Sequence, residues 1–456
     1  MALSSALNTA RNSLKATTSQ FDVVAKNIAG ARDPNYTRRT SYLESGPRGA
    51  VHVAVRRDDS PFLLDNYLVK SSQAAAAGSL ANGLHRLAEI HGADGFSNSP
   101  SQLLSDFQKA LQAYANDPDQ RAAGDAAVDR ARDLVNALNK GNREIEKLRN
   151  DADSDIQDSV DHINDLLQKF HDLDQKVVQE KNAGRDAYSY MDQRDAVLKQ
   201  LSQEIGINTV SHQDGSTSIY GMDGSTLYDK SPRKVTFESS NSLPAGVAGK
   251  QVFVDGVPLG HPSFVEPNGG GNLGGLLKVR DEMAPQYQKQ LDEMASALMS
   301  IFPGPPPLFL DGDKPEGEIG PMVGLSGRIK LNPIFDSNTP GGGPEHFGKD
   351  IQSLVDAFDQ KREFGSGTGL ATEQSLMSFG KNSMGWLEGV RSDADKNAKY
   401  QGTMFARAAE ALSNETGVNT DDEMAVMLQL EQAYAATTRI ISTVGKMLDD
   451  LMIAIR

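Results

Sequence analysis

"MLQLEQAYAATTRIISTVGKMLDDLMIAI", residues 427–455, decides how the rest of the chain is read. Met427, Leu430, Tyr434, Thr437, Ile441, Val444, Leu448, Leu451 and Ile455 follow one another in alternating steps of three and four. Residues repeating every 3.5 positions draw a narrow apolar stripe along a helix, and such a stripe is buried best against another helix. Thr420 and Glu423 form the Thr-x-x-Glu pattern of a capping box, which marks the helix start. The plainer alternative is an amphipathic helix docked on the core of its own domain.

The opposite end of the chain carries a matching pattern. Leu7, Leu14, Phe21 and Ile28 lie seven apart, with Leu3, Ala10, Thr17 and Val24 on the second core position. Gly30 offers a left-handed cap where that helix should stop. Two heptad helices separated by most of the chain are expected to pair with each other. Ala10, Thr17 and Thr437 weaken the seam, so neighbouring copies are expected to complete its burial.

Composition narrows the class. The 456 residues are 23% charged and 38% hydrophobic, a globular balance with room for several domains. No apolar run reaches membrane-spanning length, and the first residues lack the continuous apolar segment of a cleavable signal. Cysteine is absent, which removes thiol chemistry and disulfides. Net charge is −15, yet residues 1–60 hold nine Lys/Arg against five Asp/Glu; that +4 leaves −19 for the remainder. Six arginines cluster there (Arg32, Arg38, Arg39, Arg48, Arg56 and Arg57) without the interleaved aromatics of a nucleic-acid arm, so no nucleic-acid partner and no membrane insertion are expected.

The pattern along the chain predicts a mainly α fold with an inserted β domain. Residues 1–58 and 392–456 form the paired terminal coiled-coil helices. Residues 59–204 and 276–391 form an elongated helical bundle, interrupted by a Pro/Gly-rich loop region at 303–345. Residues 205–275 hold three Asp-Gly pairs (Asp214-Gly215, Asp223-Gly224 and Asp255-Gly256) among short segments such as "TSIY" and "QVFV", which reads as hairpins forming a small β-rich tip.

No catalytic constellation stands out. Gly269, Gly271 and Gly274 make a literal Gly-x-Gly-x-x-Gly, but no strand follows to complete a dinucleotide-binding unit. Asp311, Asp313, Glu316 and Glu318 offer calcium-like ligands in an order broken by Pro315 and Gly317. The histidines never take the i, i+4 spacing of a helical zinc pair. No cofactor, metal or catalytic residue is therefore expected.

Several segments resemble a known family. "VAKNIAGARDPNYTRR" (24–39) resembles the Asn-Ile-Ala-Asn…Gly-Tyr-x-Arg signature of bacterial flagellar rod, hook and hook-associated proteins, matching at Asn27, Ile28, Ala29, Tyr36, Thr37 and Arg38. Gly30 and Asn35 depart from it, Asn35 standing where glycine is usual; Asn also tolerates the left-handed conformation. "SNETGVNTDDEMAVMLQLEQAY" (413–434) resembles the family's C-terminal motif at Gly417, Val418, Asn419, Asp421, Glu423, Gln432 and Tyr434. Between them, "LLSDFQKALQAYANDPDQRAA" (103–123), "MDQRDAVLKQLSQEIGI" (191–207) and "NLGGLLKVRDEMAPQYQKQLDEMASAL" (272–298) look like the first of the two hook-associated proteins at the hook–filament junction.

The resemblance implies a non-enzymatic structural subunit of the flagellum. It would be exported unfolded through the flagellar type III apparatus, escorted by an export chaperone, and would act outside the cell. It would assemble in a ring with its own copies, between the hook protein and the second hook-associated junction protein. The residues expected at the assembly interface are Leu7, Leu14, Phe21, Val24, Ile28, Met427, Leu430, Tyr434, Ile441, Val444, Leu448, Leu451 and Ile455. Other axial proteins (the second junction protein or the hook protein) are the alternative within the class. An exported adhesin or cell-wall hydrolase working through the β insert is the alternative outside it.

Overall fold

The computed structural model describes residues 2–45, 51–92, 97–259, 270–312 and 314–454. The chain opens with α1 (Ala2–Gly30), followed by a β-hairpin of β1 (Arg39–Ser45) and β2 (Val51–Arg57). Four helices then build the bundle: α2 (Pro61–Ala88), α3 (Pro100–Asn116), α4 (Arg121–Asn182) and α5 (Tyr188–Glu204). Ser99 caps α3 by accepting from the Gln102 N–H at 3.2 Å, and Leu104, Phe107, Leu111 and Tyr114 are all buried along one face. The sequence shows two separate patterned stretches between 128 and 177, yet α4 runs through both as one 62-residue helix. At 1.5 Å per residue it spans about 93 Å and forms the spine of the molecule.

The β-rich part follows. Strands β3 (Ile207–Ser211), β4 (Thr217–Gly221), β5 (Thr226–Asp229) and β6 (Ser231–Pro232) form an antiparallel sheet in sequence order, and β7 (Val235–Thr236), β8 (Phe253–Val254) and β9 (Val257–Pro258) a second. All three Asp-Gly pairs sit in turns between adjacent strands. At the tightest, Asp255 and Gly256 both take positive φ (52° and 79°), as a two-residue hairpin loop with a matching twist requires.

Helix resumes with α6 (Gly271–Lys278), passes through a π turn at Val279–Met283 and continues as α7 (Ala284–Ile301). Then come β10 (Phe309–Asp311), α8 (Leu325–Arg328), β11 (Ile329–Leu331), α9 (Ile351–Asp356), β12 (Lys361–Glu363) and β13 (Glu373–Ser375). Two long helices close the chain, α10 (Leu376–Thr416) and α11 (Thr420–Ala454). No helix among the described residues is long and apolar enough to cross a membrane.

Two apolar cores hold the outer part. One gathers Phe107, Phe302, Phe309, Phe347 and Phe358 with Leu138, Leu291 and Tyr287 at the end of the bundle remote from the chain termini. Phe107 alone meets Phe302 at 5.5 Å and Phe358 at 5.6 Å between ring centres, within the range where tilted aromatic pairs attract. The other core unites Leu68 of α2, Ile156, Ile163 and Phe170 of α4 and Leu198 and Leu201 of α5 with Ile219 and Tyr228 of the first sheet.

Three sequence expectations change here. The β-rich segment is no tip: its Ser211, His212 and Thr217 face the same cavity as Asn35, Thr37 and Arg57, so it flanks the bundle near the terminal helices. Residues 392–416 do not belong to the terminal coil. Helix α10 crosses position 392 unbroken and packs along α2, burying Ala394, Ala408 and Leu412, and the break comes at Gly417. Residues 303–345 are irregular but anchored, because Phe309 and Phe335 point into the aromatic core.

Candidate assembly interface and its collar

Helices α1 and α11 pair with each other within the chain. Ala16 and Val23 of α1 are buried beside the seam, and of the heptad positions themselves the fully buried ones are Ala10, Thr17 and Val24 on α1 and Thr437 and Val444 on α11. These are the small members of one heptad position. Small side chains let the two backbones approach closely, and each buried threonine satisfies its hydroxyl on its own helix, Thr17 on the Ser13 carbonyl and Thr437 on that of Ala433.

The large residues fall to the flanks. Leu7, Leu14, Phe21, Ile28, Met427, Leu430, Ile441 and Leu448 are half-buried. Tyr434 and Leu451 are 43% and 48% exposed, and Met447 and Ile440 beside them exceed half. Ile455 lies outside the described residues. The seam is therefore split: its small side is closed within one chain and its large side is open.

At the root of the pair a polar cluster ties both helices to the rest of the molecule. Glu423, with a side chain only 3% exposed, accepts from Asn27 Nδ2 at 3.0 Å and from Arg38 Nε at 2.8 Å. Asn27 Nδ2 also donates to the Arg39 carbonyl at 2.8 Å, while its Oδ1 accepts from the Arg39 N–H at 3.1 Å and the Tyr36 hydroxyl at 3.0 Å. One asparagine thus reads the backbone of β1 and the first turn of α11 together. Burial pushes the Tyr36 phenol above its ordinary value, so it stays a donor.

Further out, the Arg39 guanidinium lies 4.9 Å over the Tyr36 ring and reaches Asp192 at 3.3 Å. Arg57, 6% exposed, donates to Asp192 at 2.8 Å, to Asp195 and to the Thr37 hydroxyl at 2.9 Å. Burial would lower its pKa, but Asp195 and Asp192 hold it above the usual arginine value. The same burial pushes the Asp192 carboxyl up against the pull of Arg57 and Arg39. The Arg38 N–H closes onto the Thr416 carbonyl at 2.8 Å, joining the strand after α1 to the end of α10.

The collar corrects three local readings. Gly30 ends α1 without a left-handed φ. It must be small because the Tyr36 ring packs on it: an added Cβ would lie 2.6 Å from Cγ. Asn35 also avoids the left-handed region, and its N–H is fixed by the Asp33 carboxylate at 2.9 Å. The capping box is absent. Asn419 caps α11 by accepting from the Asp421 N–H at 3.0 Å, which frees Glu423 for the cluster.

Gly417 fits its place because a Cβ would meet the Ser413 carbonyl oxygen at 2.4 Å. Ile28 and Val418 are half-buried nearby, whereas Ala29 and Asp421 are exposed. Sequence reasoning passed over Asp192 and Asp195 and gave Arg57 no role beyond its place in the arginine cluster. The two aspartates stand in the quoted "MDQRD" segment, whose paired carboxylates were the available signal. Gly269 and Asp313 lie outside the described residues. Among those described, no group of three or more histidines or carboxylates is disposed to hold a metal ion.

Comparison with known proteins adds the following. Residues 93–302 match the family model described as the flagellar hook-associated protein FlgK helical domain, and residues 411–453 match that of the flagellar basal body rod FlgEFG protein C-terminal. Flagellar hook-associated protein 1 of Bacillus subtilis is 21% identical over 503 aligned positions, covering 98% of this chain and 97% of the relative. That of Escherichia coli is 26% identical over 318, covering 66% of this chain and 56% of the relative. The solved flagellar hook junction protein FlgK from Burkholderia pseudomallei aligns with a TM-score of 0.46 at 20% identity, over 54% of this chain and 47% of that one.

Proposed function

We infer that this chain, which belongs to the flagellar hook-associated protein 1 family, is a structural component of the bacterial flagellum that joins hook to filament. It associates with other axial components and resides in the flagellum. The observation that carries the mode of assembly is the split seam. A helix pair that buries Ala10, Thr17, Val24, Thr437 and Val444 while leaving Tyr434, Ile440, Met447 and Leu451 open has spent its small residues on itself. Its large ones remain for neighbours, and an exposed apolar stripe of this kind is characteristic of an interaction surface.

On this reading the neighbours are further copies in a ring, with the hook protein on one side and the second hook-associated junction protein on the other. Before delivery the same stripe is what an export chaperone would cover on the way through the export apparatus to the cell exterior. The bundle and β-rich segment shape the outer wall, and no catalytic or cofactor role is assigned to them.

Complementation tests the proposal. In a motile bacterium lacking its own hook-associated protein 1, this chain should restore swimming. Tyr434→Ser combined with Leu451→Ser should abolish it while the purified monomer keeps its circular dichroism. Full swimming by the double variant would refute assembly through this face.

A further inference from the structure

An aspartate followed by glycine can be attacked by its own main chain, because glycine puts no side chain in the way of its nitrogen. Five such steps occur, at Asp94, Asp214, Asp223, Asp255 and Asp311. Asp94 lies outside the described residues, and the fold treats the other four differently. Gly215 donates its N–H to the His212 carbonyl at 3.0 Å, Gly224 to that of Gly221 at 2.9 Å and Gly312 to that of Arg328 at 2.9 Å. The Gly256 N–H has no acceptor among the described residues.

The carboxylates divide the same way. Asp214 accepts from the Ser216 N–H and hydroxyl at 2.9 and 2.6 Å, and Asp223 from the Ser225 N–H at 2.9 Å. Asp311 is buried and accepts from the Gly320 N–H at 2.7 Å and Arg328 at 2.9 Å. The Asp255 carboxylate meets only Arg233 among the described residues, at 3.1 Å, and with the two side chains 51% and 43% exposed that pair is loosely held. Its turn is also lightly closed. Strands β8 and β9 have two residues each, and Pro258 has no N–H to give. Asp255 sits at a φ of +52°, a conformation that costs an L-residue energy and that opening relieves.

We propose that Asp255 is a site of spontaneous isomerisation to isoaspartate. The Gly256 nitrogen attacks Asp255 Cγ; the N–Cγ bond forms, one carboxyl oxygen leaves as water with the N–H proton and a solvent proton, and a succinimide ring closes. Water then opens the ring. Hydrolysis of the N–Cγ bond restores aspartate, whereas hydrolysis between the nitrogen and the main-chain carbonyl carbon leaves the chain running through Cβ and Cγ, with no net change in mass. The product adds one carbon to a two-residue loop, so the loop no longer matches the Val254–Val257 pair it closes.

Ageing the folded full chain in water labelled with heavy oxygen, at neutral pH, tests it by digestion and fragment sequencing in a mass spectrometer. Position 255 should take up one heavy oxygen and split into two species of equal mass. It should do so about tenfold faster than positions 214, 223 and 311, each of which must first release hydrogen bonds contributing roughly 0.5–1.5 kcal/mol apiece. In urea the four positions should convert at similar rates. Asp255→Glu should remove the conversion, and Asp255→Asn should speed it with loss of ammonia. Conversion at 255 no faster than at the other three in the folded chain, or a preference for 255 that persists in urea, would overturn the proposal.

Discussion

Glu423 is the residue on which the terminal pair should depend most, and the structure sets the size of the effect. Its carboxylate is buried and accepts from Asn27 and Arg38 at 3.0 and 2.8 Å. A hydrogen bond to a charged group contributes roughly 1.5–3 kcal/mol. The Arg38 side chain is 35% exposed, so much of the Coulombic part is screened by water. Asn27 retains its bond to the Arg39 carbonyl after the change. Glu423→Ala should therefore cost about 2 kcal/mol, close to a thirtyfold rise in the opening equilibrium of α1 and α11. Glu423→Gln keeps an acceptor and should cost about half as much. Amide hydrogen exchange of the purified monomer, read by peptide, is the assay: residues 10–30 and 420–445 should exchange about thirtyfold faster in the alanine variant, and α4 peptides at the wild-type rate. A change below about threefold would refute the clasp. Immediate exchange of both helices in the wild type would refute pairing within the free chain.

Gly30→Ala should destabilise the same pair by about 1–3 kcal/mol through overpacking on the Tyr36 ring, read as faster proteolysis at the start of α1. Val444→Ala should cost about 1–2 kcal/mol because the side chain is 8% exposed, whereas Tyr434→Ala should shift monomer stability by less than about 0.5 kcal/mol yet impair self-association in sedimentation. Asp311 is buried, which alone would raise its pKa, but Arg328 and the Gly320 N–H hold it below the ordinary carboxylate value. A depressed folded pKa gives stability that is present above the unfolded value of about 3.9 and lost as pH falls through the folded one. Acid titration of near-ultraviolet dichroism should accordingly show Asp311→Asn with a flatter pH dependence below about pH 4 than the parent.

The helix pair was legible because a 3.5-residue stripe survives in one dimension, whereas its centre was not. Both heptad positions repeat equally well, and only side-chain volume decides that Ala10, Thr17 and Val24 take the close approach while Leu14 and Phe21 are pushed aside. The motif residues Asn27, Tyr36, Arg38 and Glu423 could be named, but nothing local says that a carboxylate 396 positions away belongs to Asn27. Glu423 even carried a competing local signal, since Thr-x-x-Glu reads as a capping box until Asn419 is seen to take the cap. The hairpins of the β-rich segment followed from their Asp-Gly turns. Its position on the flank did not, because a turn fixes how strands pair and not where the sheet is carried. The Pro/Gly content of 303–345 concealed Phe309 and Phe335, whose burial anchors an otherwise irregular segment.

Neither apolar core contains a residue of α1 or α11. The terminal pair is joined to the outer part through the collar of Asn27, Arg38, Arg39, Arg57, Asp192, Asp195 and Glu423, flanked by cavities of about 210 and 680 Å³. Apolar cores are close-packed and transmit strain, whereas a polar cluster holds its partners only through the few directional hydrogen bonds it makes. The termini can therefore be ordered, shifted or repacked against neighbours without disturbing the bundle. On the proposed function, that decoupling lets the inner helices follow their neighbours while the outer wall keeps its shape.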